Sequence, residues 1–454
     1  MASSLDWSLA EISARLADGR LHARALIEEA QARHDPSLNA YKTWAPEFAL
    51  RQADAADAAF AAGNRLGALQ GIPASVKDIY GVEGLPIFAG SSRELPMRWR
   101  DEGPLVRALR SQSAVIMGKA HTVEFAFGGL GLNAHWPAPW NPQDRKVHRS
   151  PGGSSSGAGV SLGEGTALIA LGTDTAGSVR IPASMTGNAG IKTTKGRWST
   201  DGVVPLSSTF DTTGLLARSA VDLAFAFRQL DGAVVPSLAD LTGIRLGRAE
   251  PFFWEDTSPG VSERVDDALS LAAADGARVA DAELPAAKEL FELYRKGGIV
   301  SAELYAFLSA ELPDWLETLD PRVRRRMDAS KELPAWDYLQ RKARYAALAL
   351  DAANSLAGID ALVSPTVPIT PPPVADVVDD DAYTRTNLLA LRNTCPASFL
   401  GLCAVTIPAG RDAAGMPVGL QLVGAPGCET RLLAVAVRLE RLLAKKNIWH
   451  YPGA

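Results

Sequence analysis

Residues Ser150–Ser184 read SPGGSSSGAGVSLGEGTALIALGTDTAGSVRIPAS. Two turns rich in glycine and hydroxyl side chains flank the apolar run Ala167–Gly172, and "VRIPAS" follows the second turn without a polar spacer. Glycine and serine are ordinary linker material. A loop caught between buried elements, however, is usually there to present backbone groups. The run "TALIALGTDTAG" therefore reads as a strand entering a tight turn.

The same texture extends to both sides. Upstream, "GIPASVKDIYG" (71–81) is β-branched and bounded by glycine, a strand and turn. "PLVRALRSQSAVIMGKAHTVEFAFG" (104–128) reads as helix, strand over "AVIMGK", and the start of another helix. Downstream, "AVDLAFAFRQLDGA" is a helix ending near Gly232, and "IRLGRAE", "VSERVDDALSLAAADG" and "ARVADAEL" give strand, helix, strand. "GIDALVSPTVP" is a further strand, and "AVTIPAG" with "MPVGLQLVG" forms a β pair before a last helix. Such alternation predicts an α/β protein with a parallel or mixed sheet. No linker separates independent units, so one domain over 1–454 is expected. Within it, 1–65 is a wrapper of three helices, the first opened by the Ser8/Glu11 capping box and closed at Gly19. A mostly helical subregion, 241–356, packs on the rest, and its "VRRRM" is read as a solvated basic face.

Bulk composition excludes several classes. With 47% hydrophobic residues in 454 the chain can bury a large core. A net charge of -5 without a basic stripe argues against nucleic acid as partner. No run approaches ~20 apolar residues, so no membrane span is expected. "MASSLDWSLAEISARLADGR" lacks the apolar core of a secretory signal, which makes the cytoplasm the expected location. Cys395, Cys403 and Cys428 lack metal-ligand spacing and suit a reducing compartment.

Three chemistries compete for the serine-rich turns. A phosphate cradle would need a lysine directly after its loop, and none is there. Gly153–Gly157 matches the G-x-S-x-G nucleophile elbow around Ser155, the pattern of an esterase, but the preceding segment is charged and broken by proline. Downstream of Ser155 the one histidine is His450. A neutral lysine can replace histidine as base if burial lowers its pKa by ~3 units. Lys77, between Val76 and Asp78, would point away from that carboxylate by strand alternation. From the residues alone, Lys77 at a strand end could equally reach solvent.

The chain resembles the amidase signature family of serine hydrolases. The resemblance lies in "GIPASVKDIYGVEG", in Ser150–Arg197, in "STFDTTGLLARSAVDLA", and in "PASFLGLCAVTIPAG" with "GMPVGLQLVG". It implies a single α/β/α domain whose mixed sheet of about eleven strands is covered by helices, with 71–220 as catalytic core. It implies a Ser-Ser-Lys triad: Ser178 as acylated nucleophile, Ser154 as bridging serine after a cis bond, and Lys77 as base. Backbone N–H groups of Thr175, Ala176, Gly177 and Ser178 match the family's oxyanion hole, with Ala176 standing where many members have glycine. Asp174 and Arg180 are expected to hold the turn, and Ser155 and Ser156 to support it. The implied reaction is hydrolysis of a small-molecule amide without metal or organic cofactor, by a stand-alone enzyme or by the glutaminase subunit of a complex that amidates glutamyl-tRNA. Family analogy alone suggests a homodimer. Expected substrate contacts are Phe125, Trp136, Trp140 and Arg385, with Phe127, Leu130, Tyr383 and Asn387 as further wall residues.

Overall fold

The computed structural model describes residues 3–450; the ends of the expected 1–454 domain, 1–2 and 451–454, lie outside the described residues. Eleven strands form one mixed sheet in the order β1-β3-β2-β4-β6-β5-β10-β11-β9-β7-β8. They are β1 Tyr41–Trp44, β2 Pro73–Lys77, β3 Val115–Ala120, β4 Ile169–Asp174, β5 Ala189–Lys192 and β6 Thr212–Ala217. The others are β7 Arg245–Ala249, β8 Arg278–Ala282, β9 Ala361–Pro365, β10 Cys403–Arg411 and β11 Pro417–Gly424. Parallel pairing holds β3, β2 and β4 together near one end and β9, β7 and β8 at the other. An antiparallel centre from β4 to β9 joins them. Fully buried strands such as β2, β3 and β4 need helices on both faces, and a single α/β/α domain results.

The N-terminal helices follow the capping and periodicity signals. Ser8 Oγ accepts the Glu11 N–H at 3.3 Å, and Leu9, Ile12 and Leu16 turn inward from helix Leu9–Ala17. Strands β7 and β8 end the sheet on one side, so the 241–356 segment supplies that edge of the sheet as well as helices. Of its helices, Val261–Ala274 packs on β8 to β11, and Ala286–Arg295, Ile299–Glu311, Pro321–Asp328 and Ala335–Ser355 follow β8 in the chain before β9. Among the described residues no helix is long and apolar enough to cross a membrane.

The helix expected to start after β3 does not form. Glu124–Ala126 is a single 3₁₀ turn in which Phe125 and Ala126 have φ of 45° and 59°. Left-handed backbone at two successive non-glycine residues is strained, and surrounding contacts must enforce it. Glu124, fully buried, supplies them: its carboxylate accepts the Asp320 N–H at 2.6 Å and faces His135 Nε2 at 3.1 Å.

Candidate active site

Strands β2 and β4 are parallel neighbours, so their C-terminal ends emerge together. Open α/β sheets gather their functional groups at that edge. Lys77 ends β2, and Thr173 lies one residue before the end of β4. Lys77 Nζ sits 2.7 Å from Ser154 Oγ and 2.8 Å from Thr173 Oγ1. Ser154 follows a cis peptide bond, Gly153–Ser154, in the loop leading to helix Ser156–Glu164. The next residue, Ser155, donates its N–H to the Ser178 carbonyl at 3.2 Å, which ties the two serine turns together.

The amine of Lys77 is fully buried. Burial lowers its pKa to about 7, and the more distant carboxylates of Asp211 and Asp174 oppose that fall without forming an ion pair. Asp78, adjacent in sequence, points to the other side of the strand and pairs with buried Lys119 at 3.1 Å. Strand alternation thus keeps the nearest carboxylate away from the amine, as expected from the residue order.

The second turn is built on Asp174. Arg180 Nε and Nη2 each donate to its carboxylate at 3.0 Å, and Ser398 Oγ donates at 2.9 Å. Burial alone would raise the pKa of Asp174, but the Arg180 guanidinium outweighs it and holds the carboxyl down at about 2. The Gly177 N–H donates to Asp174 Oδ1 at 2.7 Å, which corrects the expectation that all four turn amides are open. Thr175, Ala176 and Ser178 keep N–H groups with no intrachain acceptor among the described residues. Gly177 itself has φ +137°, and a Cβ there would lie 2.1 Å from Thr394 Oγ1. Gly177→Ala must therefore shift the turn, and displacements of that kind cost on the order of 100-fold in rate. Steady-state kinetics beside a thermal melt would check this: turnover should fall far more steeply than the folded fraction. Ala176 has no positive φ and borders the chamber below, so alanine fits where glycine was more usual.

Ser178 opens onto a small chamber bordered by Gly128, Thr175, Ala176 and Arg326. That chamber shares Phe127, Tyr294, Val300 and Arg326 with a larger cavity of about 200 Å³. Several expected contacts lie elsewhere. Phe125 is buried beneath the strained turn, and it is Ala126 to Gly128 that face the chamber. Trp136 packs against Phe88 and Lys42 and donates to the Ser91 carbonyl; Trp140 stacks on His148 with centroids 4.4 Å apart. Neither tryptophan lines the cavities. Arg385 is exposed, whereas Tyr383 and Asn387, two residues to either side, do line the larger cavity. Leu130 is buried outside both.

The basic face "VRRRM" is only partly solvated. Arg322 and Arg325 pair with Asp380, but Arg326 turns inward. A helical period could have revealed it, because 323, 326 and 327 share one face and Val323 and Met327 are core residues. The elbow pattern at Ser155 has no base: its hydroxyl reaches the Thr173 carbonyl at 3.4 Å, while His450 is exposed and contacts Asn447. His121, upstream, lies 3.2 Å from Ser156 rather than Ser155.

A family model described as Amidase matches residues 23–433, and the chain belongs to the amidase signature family, enzymes that hydrolyse carbon–nitrogen amide bonds. A 2-amino-5-chloromuconic acid deaminase of Comamonas testosteroni is 48% identical over 445 residues, covering 96% of either chain. A glutamyl-tRNA(Gln) amidotransferase subunit from Geobacter sp. (strain M21) is 31% identical, over 95% of this chain and 94% of that one. Among solved structures, an amidase crystal structure superposes with a TM-score of 0.87 at 32% identity, covering 96% of this chain and 99% of the other. The peptide amidase from Stenotrophomonas maltophilia gives 0.82 at 26% identity, over 98% of each.

Proposed function

We propose that this amidase works through an acyl-enzyme on Ser178, with Ser154 carrying the proton and Lys77 receiving it. One observation carries the reading: a fully buried amine, free of any carboxylate partner and brought to a pKa of about 7, sits 2.7 Å from Ser154 Oγ. A neutral amine has a lone pair to accept the Ser154 proton; Ser178, on the turn tied to that of Ser154 by the Ser155 N–H, would pass its own proton to Ser154 once the two hydroxyls close to hydrogen-bond range in the substrate complex. Ser178 Oγ attacks the amide carbonyl carbon, and negative charge gathers on the carbonyl oxygen. The free N–H groups of Thr175, Ala176 and Ser178 are suited to stabilise that oxyanion, each donor being worth about 10²–10³ in rate elsewhere. Collapse breaks the C–N bond as the proton returns through Ser154 to the leaving nitrogen. Water then attacks the ester by the same relay and releases the acid.

A small molecule is the proposed substrate. The relative at 48% identity is named for an amino-substituted acid, which favours a small acid over a peptide or tRNA here. A second reading, as glutaminase component of an amidotransferase, has the 31% relatives in its favour. The test is acyl-enzyme capture: the purified chain is mixed with aliphatic, aromatic and dicarboxylic amides, quenched, digested and weighed. Added mass on the Ser178 peptide is the expected result. Mass on Ser155 would overturn the reading, and turnover only with partner proteins and tRNA would favour the amidotransferase.

A further inference from the structure

We propose that Arg326 selects substrates whose acyl portion ends in a carboxylate, making the preferred substrate the monoamide of a short dicarboxylic acid. The inference deepens the reading above and rests on Ser178 as the reacting residue.

The argument begins with charge. Among the residues bordering the two joined cavities are Arg295, Lys296 and Arg326, and there is no aspartate or glutamate. Arg326 is half-buried, and among the described residues no carboxylate forms a salt bridge with it, although Arg322 and Arg325 on the same helix both reach Asp380. A guanidinium stays charged at any working pH, and a partly desolvated one without a counter-ion favours an anion.

Geometry fixes where that anion would sit. Nη1 of Arg326 donates to the Phe127 carbonyl at 2.9 Å, Nη2 donates to Tyr294 Oη at 3.1 Å, and the guanidinium lies 3.7 Å over the Phe127 ring. Two of its five N–H groups are thereby used to aim it, and the others remain for a ligand. Tyr294 Oη accepts from the arginine, which leaves its own proton to donate. Tyr383 Oη and Asn387 Nδ2, on the cavity wall, have no intrachain acceptor among the described residues. Four donor groups thus line one cavity whose border carries no carboxylate, a setting suited to an acceptor-only carboxylate. Phe210, Tyr345 and Phe399 pack as an aromatic cluster along the rest of the wall, Tyr345 edge-on to the other two, with room for a short hydrocarbon spacer. Because Arg326 also borders the chamber of Ser178, carboxylate and amide must be separated by only a few carbons.

The test compares kcat/KM for glutaramate with that for valeramide, which has a methyl group in place of the carboxylate. Wild type is expected to favour glutaramate by on the order of 100-fold. Arg326→Gln should bring the ratio close to one, chiefly through KM, and Arg326→Lys should restore part of it. Arg325→Gln, on the outer face, should leave the ratio as in wild type. Equal use of both amides by wild type overturns the proposal, as does an equal loss on both in Arg326→Gln, which would make the arginine a staple for the Phe127 loop. Calorimetry with glutarate, valeramide and inorganic phosphate gives a readout independent of chemistry at Ser178. Glutarate should bind wild type most tightly, and Arg326→Gln and Arg326→Lys should each weaken it. Phosphate or valeramide binding as well as glutarate overturns the proposal even if no acyl-enzyme forms. Should Arg326→Gln fail to fold, the wild-type ratio, the lysine variant and the calorimetry decide.

Discussion

Ser178→Ala is expected to abolish acyl-enzyme formation and to lower kcat/KM by on the order of 10⁶-fold, the size of effect that removing a hydrolase nucleophile has. Stability should barely change. Ser178 Oγ makes no intrachain hydrogen bond among the described residues and faces the chamber, so alanine leaves no buried group unpaired. Its backbone carbonyl still accepts from Ser155, and the three open N–H donors keep their places. Fluorophosphonate labelling followed by peptide mapping reads the result directly: label on the Ser178 peptide in wild type and none in the variant. Ser155→Ala supplies the contrast. It removes one long contact to the Thr173 carbonyl and should retain labelling. Labelling that survives Ser178→Ala but vanishes in Ser155→Ala would return the chemistry to the G-x-S-x-G pattern.

Much of this arrangement was legible because it is local. Strand period and flanking glycines mark β2, β3 and β4, and alternation within "SVKD" separates Lys77 from Asp78 before any coordinates are known. Three strands were not legible. β1 is four residues at a sheet edge, β5 is "AGIK" between glycine and threonines, and β6 breaks its apolar run with glycine. Each is identified by its neighbour across the ladder rather than by its own pattern. Side chains that meet across the fold were harder still. Two tryptophans near the serine motif pack against Lys42 and His148 because loop 133–149 runs away from the chamber. Arg326, far downstream of the serine turns, reaches Ser178's chamber only because its helix is docked by Glu124 and Phe127. Nor does sequence say that the Gly177 amide is already occupied by Asp174.

Lys77→Met is expected to slow turnover by about 10²–10⁴-fold, the range for a missing general base. The pH profile of wild type is the sharper test. With a pKa of about 7, Lys77 is mostly protonated below neutrality and cannot take the Ser154 proton. The value of kcat/KM should rise about tenfold per pH unit up to about 7 and level off above it, and the methionine variant should lose that inflection. A wild-type profile flat through this range, or one bending near pH ~10, would mean that the amine is not the base. The same shift has a consequence for folding with a fixed sign. The folded-state pKa lies below the value of 10.5 for a free lysine, so between the two the unfolded chain binds the proton and the native protein does not. Stability then falls as pH drops from about 10 to 7, by on the order of 4 kcal/mol from this group, and is indifferent to it below about 7. Chemical denaturation of wild type and Lys77→Met across that window should show the difference in their unfolding free energies moving in the variant's favour as pH falls to about 7, then holding constant. A difference constant through the whole window would mean that the amine keeps its solution pKa in the folded protein, and the proton relay would then have no base at neutral pH.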